Sequence, residues 1–172
     1  MLGQVTYEAH LPSPAVVTFL KMLNRALFSS EREDWETPDA LFEQLNAEFG
    51  FETDVCATDA NAKCSHYFSP DQDGLRQSWR GVCWMNPPYG TALPKWMAKA
   101  YTESVRGATV VCLVPARTDT RWWHDFAMRG EIRLIEGRLR FRGAQFSAPF
   151  PSAIIVFRPK RYLSWSVDTK KR

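Results

Sequence analysis

The chain has 172 residues, which suits one domain and leaves little room for a second. Apolar residues make up 45%, enough to bury a core, and a net charge of +3 permits a nucleic-acid partner without arguing for one. Cys56, Cys64, Cys83 and Cys112 form no C-x-x-C pair, and no histidines cluster near them. Buried free thiols are therefore expected rather than a metal site, and free thiols fit a reducing cytosol. The start of the chain lacks a basic segment followed by an apolar run, and no stretch reaches the roughly 18 apolar residues of a membrane span, so the chain reads as soluble and cytoplasmic.

Residues 1–34 read as an N-terminal extension without assignable chemistry. Within it, Val16, Phe19, Leu20, Leu23 and Leu27 have helical spacing and predict a helix between Ala15 and Phe28. Thr37 is the expected N-cap of the next helix, with Pro38 at its first position and Asp39 near its positive end. Leu41, Leu45 and Phe49 give that helix an apolar stripe, and Gly50 ends it. A buried strand is expected over Phe51–Ala57 and a short extended piece over His66–Phe68. Val82–Met85 is another apolar run, halted by Asn86-Pro87-Pro88-Tyr89-Gly90. Neither proline supplies a ladder N–H, so the strand delivers this sequence to its carboxyl end.

A helix follows, with Leu93, Trp96, Met97, Ala100, Tyr101 and Ser104 on one face, and then a near-continuous apolar strand over Ala108–Val114. Such strands alternating with helices predict an α/β fold whose parallel sheet is covered on both faces. Thr118–Met128 reads as a further helix, on which at most one of the adjacent Trp122 and Trp123 faces the core. Ile132–Ile135, Gly137–Phe141 and Ala153–Phe157 then read as a strand-rich, antiparallel edge, and residues 161–172 as a basic tail.

Asn86-Pro87-Pro88-Tyr89 carries the chemistry. The lone pair of an aromatic amine is delocalised into its ring, so the nitrogen is a poor nucleophile. Two acceptors aimed at its two N–H bonds favour a pyramidal nitrogen with an available lone pair. The Asn86 side-chain oxygen and the Pro87 carbonyl can be those acceptors, with Pro88 keeping the chain rigid. Catalysis by such a site is positioning and electrostatics. Tyr89 offers an aromatic face for a base. The tetrapeptide follows a strand and precedes a helix, where open parallel sheets bind ligands, which distinguishes it from a merely rigid turn.

The tetrapeptide resembles the Asp/Asn-Pro-Pro-Tyr/Phe/Trp motif of amino-methyltransferases. A wider likeness runs from Trp35 to Phe157. Trp35-Glu36-Thr37-Pro38, Asp54-Val55-Cys56-Ala57, Asn61-Ala62-Lys63-Cys64, Asp73-Gly74-Leu75, Trp79, Met85 to Tyr89, and Leu113 to Thr118 together resemble the phage-type DNA N6-adenine methyltransferase (Dam-like) family. The resemblance implies a Rossmann-like, mostly parallel sheet with an antiparallel C-terminal edge. It also implies a methyltransferase domain over 35–160, S-adenosylmethionine as methyl donor, and double-stranded DNA with a flipped-out adenine as substrate. The enzyme would be phage- or prophage-encoded and would act in the bacterial host.

By the same resemblance, Thr37 and Pro38 meet the methionine end of the cofactor, Asp54 pairs with its ammonium, and Trp35, Cys56, Ala57 and Asn86 are further cofactor contacts. Asp73 accepts from the cofactor's adenine amine. An ordinary helix start, an Asx turn and an Asp-Gly turn are the plain alternatives for these residues. The glycine-rich cofactor loop common in methyltransferases is missing, and Ala57–Asn61 stands in its place. Arg117 is a candidate for a phosphate or the cofactor, and Arg138, within the basic Gly137–Arg142 segment, for the DNA backbone. Phe141 and Phe150 are alternative second walls for the base. Cytosine N4, RNA adenine and a protein glutamine amide present the same planar nitrogen and are the rival acceptors, and a catalytically silent nucleic-acid-binding module is the rival of a different class.

Overall fold

The computed structural model describes residues 13–15, 17, 18 and 34–159. The chain divides into two compact units, residues 1–32 and 33–172. In the first, Pro14, Ala15, Val17 and Thr18 are helical, and the Val17 N–H donates to the Ser13 carbonyl. The rest of the helix expected between Ala15 and Phe28, and the basic tail, lie outside the described residues.

The second unit is built on one six-stranded sheet. Its strands are β1 (Thr53–Asp54), β2 (His66–Tyr67), β3 (Val82–Met85), β4 (Thr109–Pro115), β5 (Glu131–Leu134) and β6 (Ser152–Phe157). They lie in the order β2-β1-β3-β4-β6-β5. The first four are parallel; β6 runs antiparallel to β4, and β5 antiparallel to β6. The expected architecture is therefore present: an open, mostly parallel sheet with an antiparallel C-terminal edge.

Strand alternation divides the core into two layers. Val110, Cys112 and Val114 of β4 and Ala153, Ile155 and Phe157 of β6 face one layer. Val111 and Leu113, with Ile154 and Val156, face the other. Helix α1 (Asp39–Phe49) covers the second layer with Phe42 and Leu45, and ends at Gly50, whose φ of 66° suits glycine. Helix α2 (Leu93–Val105) covers the first with Leu93, Trp96, Met97 and Ala100. Among the described residues, no helix is long and apolar enough to cross a membrane.

Five expectations need correction. Pro38, with extended backbone, is the N-cap of α1, and Thr37 lies outside the helix; its hydroxyl meets a partner elsewhere, described below. The strand expected over Phe51–Ala57 is only two residues long, because the Asp54 carboxylate accepts from the Cys56 N–H and turns the chain. The helix expected over Thr118–Met128 is a five-residue helix, α3 (Arg121–Asp125), followed by a 3-10 turn at Ala127–Arg129. Both Trp122 and Trp123 are buried, and both belong to the same layer of the core. Finally, Gly137–Phe141 is not a strand. Gly137 has a φ of 72°, and the segment makes loop bonds: the Leu139 carbonyl accepts from the Ala148 N–H and the Phe141 carbonyl from the Ala144 N–H.

Candidate active site

Parallel strands end their ladders at their carboxyl edge, and there the loops after β1 and β3 diverge and leave a cavity of about 540 Å³. Asn86, Pro87 and Pro88 line it directly after β3. Trp35 and Thr37, ahead of α1, approach from a segment about fifty residues away in sequence.

The Asn86 side chain has a defined orientation. Its amide Nδ2 donates to the Trp35 carbonyl and, at 3.0 Å, to the Thr37 hydroxyl. A carbonyl can only accept, so the atom facing Trp35 must be the NH₂. The other end of the amide follows: Oδ1 is buried and has no hydrogen-bond partner among the described residues. A buried acceptor without a donor is costly, and a ligand N–H is the simplest donor to relieve it.

Asp54 ends β1 and is nearly fully buried. Its carboxylate accepts from the backbone N–H groups of Cys56, at 3.3 Å, and Lys63, at 3.1 Å. Burial pushes its pKa up to about 6, against the pull of those two N–H groups and of the Lys63 charge. The Lys63 ammonium itself pairs with Asp39. Asp34, Glu36 and Asp73 add further carboxylates to the lining, so its balance is acidic and suits a cationic ligand. Phe68, Trp84 and Trp96 give it flat apolar walls.

Asp73 adopts a left-handed conformation, with φ 52°, and its Oδ1 accepts from the Leu75 N–H. It is thus both a turn residue and part of the lining. Gly74 beside it has no alternative, because a Cβ there would lie 2.1 Å from the Val55 carbonyl oxygen. Cys56 lines the cavity too, but burial raises its thiol pKa well above the usual value, and the Asp54 charge raises it further. No thiolate nucleophile is available there at neutral pH.

Of the residues expected at a cofactor, Trp35, Thr37, Asp54, Cys56, Ala57, Asp73 and Asn86 line the cavity, while Pro38, the cap of α1, is not among its lining residues. Tyr89, Phe141 and Phe150 are not among its lining residues. They form a ring cluster beside it with Trp35: Trp35 lies 5.0 Å from Phe141 and 5.3 Å from Phe150, and Tyr89 lies 5.7 Å from Phe150. Tyr89 and Phe141 are buried and Phe150 is half-buried. Arg117 and Arg138 are exposed and do not line the cavity. Sequence reasoning did not single out Lys63, Phe68 or Trp96 for the site; Lys63 sat inside a quoted motif, Phe68 ended a short extended piece, and Trp96 lay on one face of a helix.

A family model described as DNA N-6-adenine-methyltransferase (Dam) matches residues 25–167. The chain belongs to this family. It is 30% identical over 143 residues to a protein named DNA N-6-adenine-methyltransferase from Haemophilus phage HP1 (strain HP1c1), a match covering 76% of this chain and 82% of that one. It is 34% identical over 65 residues to a protein named "Putative methyltransferase YfdM" from Escherichia coli (strain K12), covering 33% and 71% of the respective chains. For a Dam family member the reaction requires a methyl donor and a DNA adenine, and the cavity and the Asn86-Pro87-Pro88-Tyr89 turn lie side by side. Among the described residues, no group of three or more His, Cys, Asp or Glu side chains is arranged to hold a metal ion.

Proposed function

We propose that this chain carries out its family's reaction, methylation of adenine N6 in DNA, by direct transfer from S-adenosylmethionine to a base flipped out of the duplex. The buried, unpartnered Oδ1 of Asn86 carries the reading. It is the acceptor that one N–H of an exocyclic amine requires, and the Pro87 carbonyl takes the other. Drawing on both N–H bonds returns lone-pair density to the nitrogen.

The cavity suits S-adenosylmethionine on three counts. Its volume matches a ligand of that size. Its acidic lining matches a ligand carrying an ammonium and a sulfonium, with Asp54 assigned to the ammonium. Its aromatic walls match an adenine ring. When bound, this cofactor supplies a methyl carbon activated by the sulfonium charge. Asp73, which lines the cavity, is assigned to the adenine end.

For the target base we assign Phe150, with Trp35, as the accessible aromatic wall, and Phe141 and Tyr89 as the buried rings behind it. Arg117 and Arg138, both exposed, are assigned to DNA phosphates.

The test is incubation with methyl-labelled S-adenosylmethionine and unmethylated duplex DNA, followed by hydrolysis and identification of the labelled nucleoside, with Asn86→Ala alongside. Label in N6-methyladenine, lost in the variant, is expected. Label in N4-methylcytosine would overturn the substrate, and absence of cofactor binding would overturn the mechanism.

A further inference from the structure

Resting on that reading, we infer that Thr37 and the Trp35 carbonyl act as positioning groups for Asn86, clamping its amide so that oxygen, not nitrogen, is presented to the substrate amine, and that they commit this site to asparagine. The resemblance assigned these residues to the cofactor, but the hydrogen bonds assign them a second task. A side-chain amide is nearly symmetrical in shape, and rotation by half a turn exchanges acceptor for donor. A flipped Asn86 would aim NH₂ at the substrate N–H bonds and abolish the acceptor. The Trp35 carbonyl forbids that flip, because it would then face Oδ1, acceptor against acceptor. The Thr37 hydroxyl accepts the second N–H and so completes the donor set.

The clamp is itself held in place. The Trp35 ring packs on Phe141 and Phe150, and the Glu36 carbonyl accepts from the Arg142 N–H at 2.9 Å. The motif tolerates aspartate in other amino-methyltransferases, but here a carboxylate at position 86 would place an oxygen against the Trp35 carbonyl with no proton between them.

The experiment compares Thr37→Val, which keeps the shape and loses the hydroxyl, with Thr37→Ser, which keeps the hydroxyl, and adds Asn86→Asp. Steady-state kinetics on unmethylated duplex DNA, calorimetric binding of S-adenosylmethionine, and the Asn86 side-chain NH₂ resonances of the protein alone are measured for each. Thr37→Val is expected to lower kcat about tenfold at saturating cofactor and to shift the Asn86 NH₂ resonances of the protein alone. Thr37→Ser is expected to recover most of that loss. Asn86→Asp is expected to be as inactive as Asn86→Ala.

A rise in cofactor Kd without a fall in kcat in Thr37→Val would overturn the inference, as would an unmoved NH₂ signal. An Asn86→Asp enzyme within about tenfold of the parent would also overturn it, and this arm stands if Thr37→Val does not fold. Failure of the parent chain to label adenine would instead overturn the proposed function.

Discussion

The Tyr89 hydroxyl donates to the Leu113 carbonyl of β4, 3.2 Å away, tying the end of the catalytic turn to the strand beside it. Both groups are buried, and burial holds the phenol well above its usual pKa, so it stays a neutral donor. Tyr89→Phe is expected to cost about 1 kcal/mol in urea denaturation, the value of one such bond. Tyr89→Ala is expected to cost about 3–5 kcal/mol, because it also removes a buried ring packed on both Phe141 and Phe150. A larger loss in Phe than in Ala would contradict this account.

Asp54 gives the chain a pH signature. Its folded pKa, about 6, lies above the usual 3.8, so folding favours the protonated form. The resulting stability is fully present below about pH 3.8 and is lost as pH rises through about 6, amounting to roughly 2–3 kcal/mol. Asp54→Asn should abolish this contribution, so the variant's stability relative to the parent should increase between pH 5 and pH 8. S-adenosylmethionine affinity should move the other way, strengthening through pH 6 in the parent and losing that dependence in Asp54→Asn. Parallel titrations of stability and binding check both.

Gly74→Ala tests the close approach at the cavity. The new Cβ would meet the Val55 carbonyl oxygen at 2.1 Å and the Trp96 ring at 3.1 Å. Backbone cannot swing aside as a side chain can, so a loss near the upper end of the usual overpacking range, about 3 kcal/mol, is expected, with weakened cofactor binding. Thermal denaturation and calorimetry report the two effects separately.

Glu103 provides a contrast away from the site. It is buried, and its carboxylate accepts from the Trp79 N–H, Lys99 and Arg106. It lines a smaller pocket with Arg80 and Gly107 that shares no residue with the larger cavity. Glu103→Ala is expected to cost about 2–4 kcal/mol, because the Trp79 N–H loses its acceptor and two cations lose their partner. Melting should fall while product identity and cofactor KM stay where they were; a change in either would place Glu103 in the catalytic machinery.

Much was legible from local pattern. The apolar runs Val82–Met85 and Ala108–Val114, the helix starting at Leu93, and the glycine stop at Gly50 follow from periodicity and backbone preference, which act over a few residues. The position of Asn86-Pro87-Pro88-Tyr89 at a strand's carboxyl end was legible for the same reason, since two prolines cannot extend a ladder. Gly137–Phe141 misled because its residues suit a charged edge strand, while its carbonyls accept from Ala144 and Ala148 of the loop that follows. Trp122 and Trp123 misled because the one-face rule belongs to long surface helices, and this helix has only five residues.

The sequence by itself determined that Asn86-Pro87-Pro88-Tyr89 ends an apolar strand and precedes a helix. The tertiary structure alone decided that Thr37 and Trp35 meet Asn86 from 49 and 51 residues away, and which end of its amide remains unsatisfied. A hydrogen bond between segments so far apart leaves no trace in local spacing. It exists because α1 and β3 pack against the same layer of the core, through Phe42 and Trp84, and that packing brings their ends together.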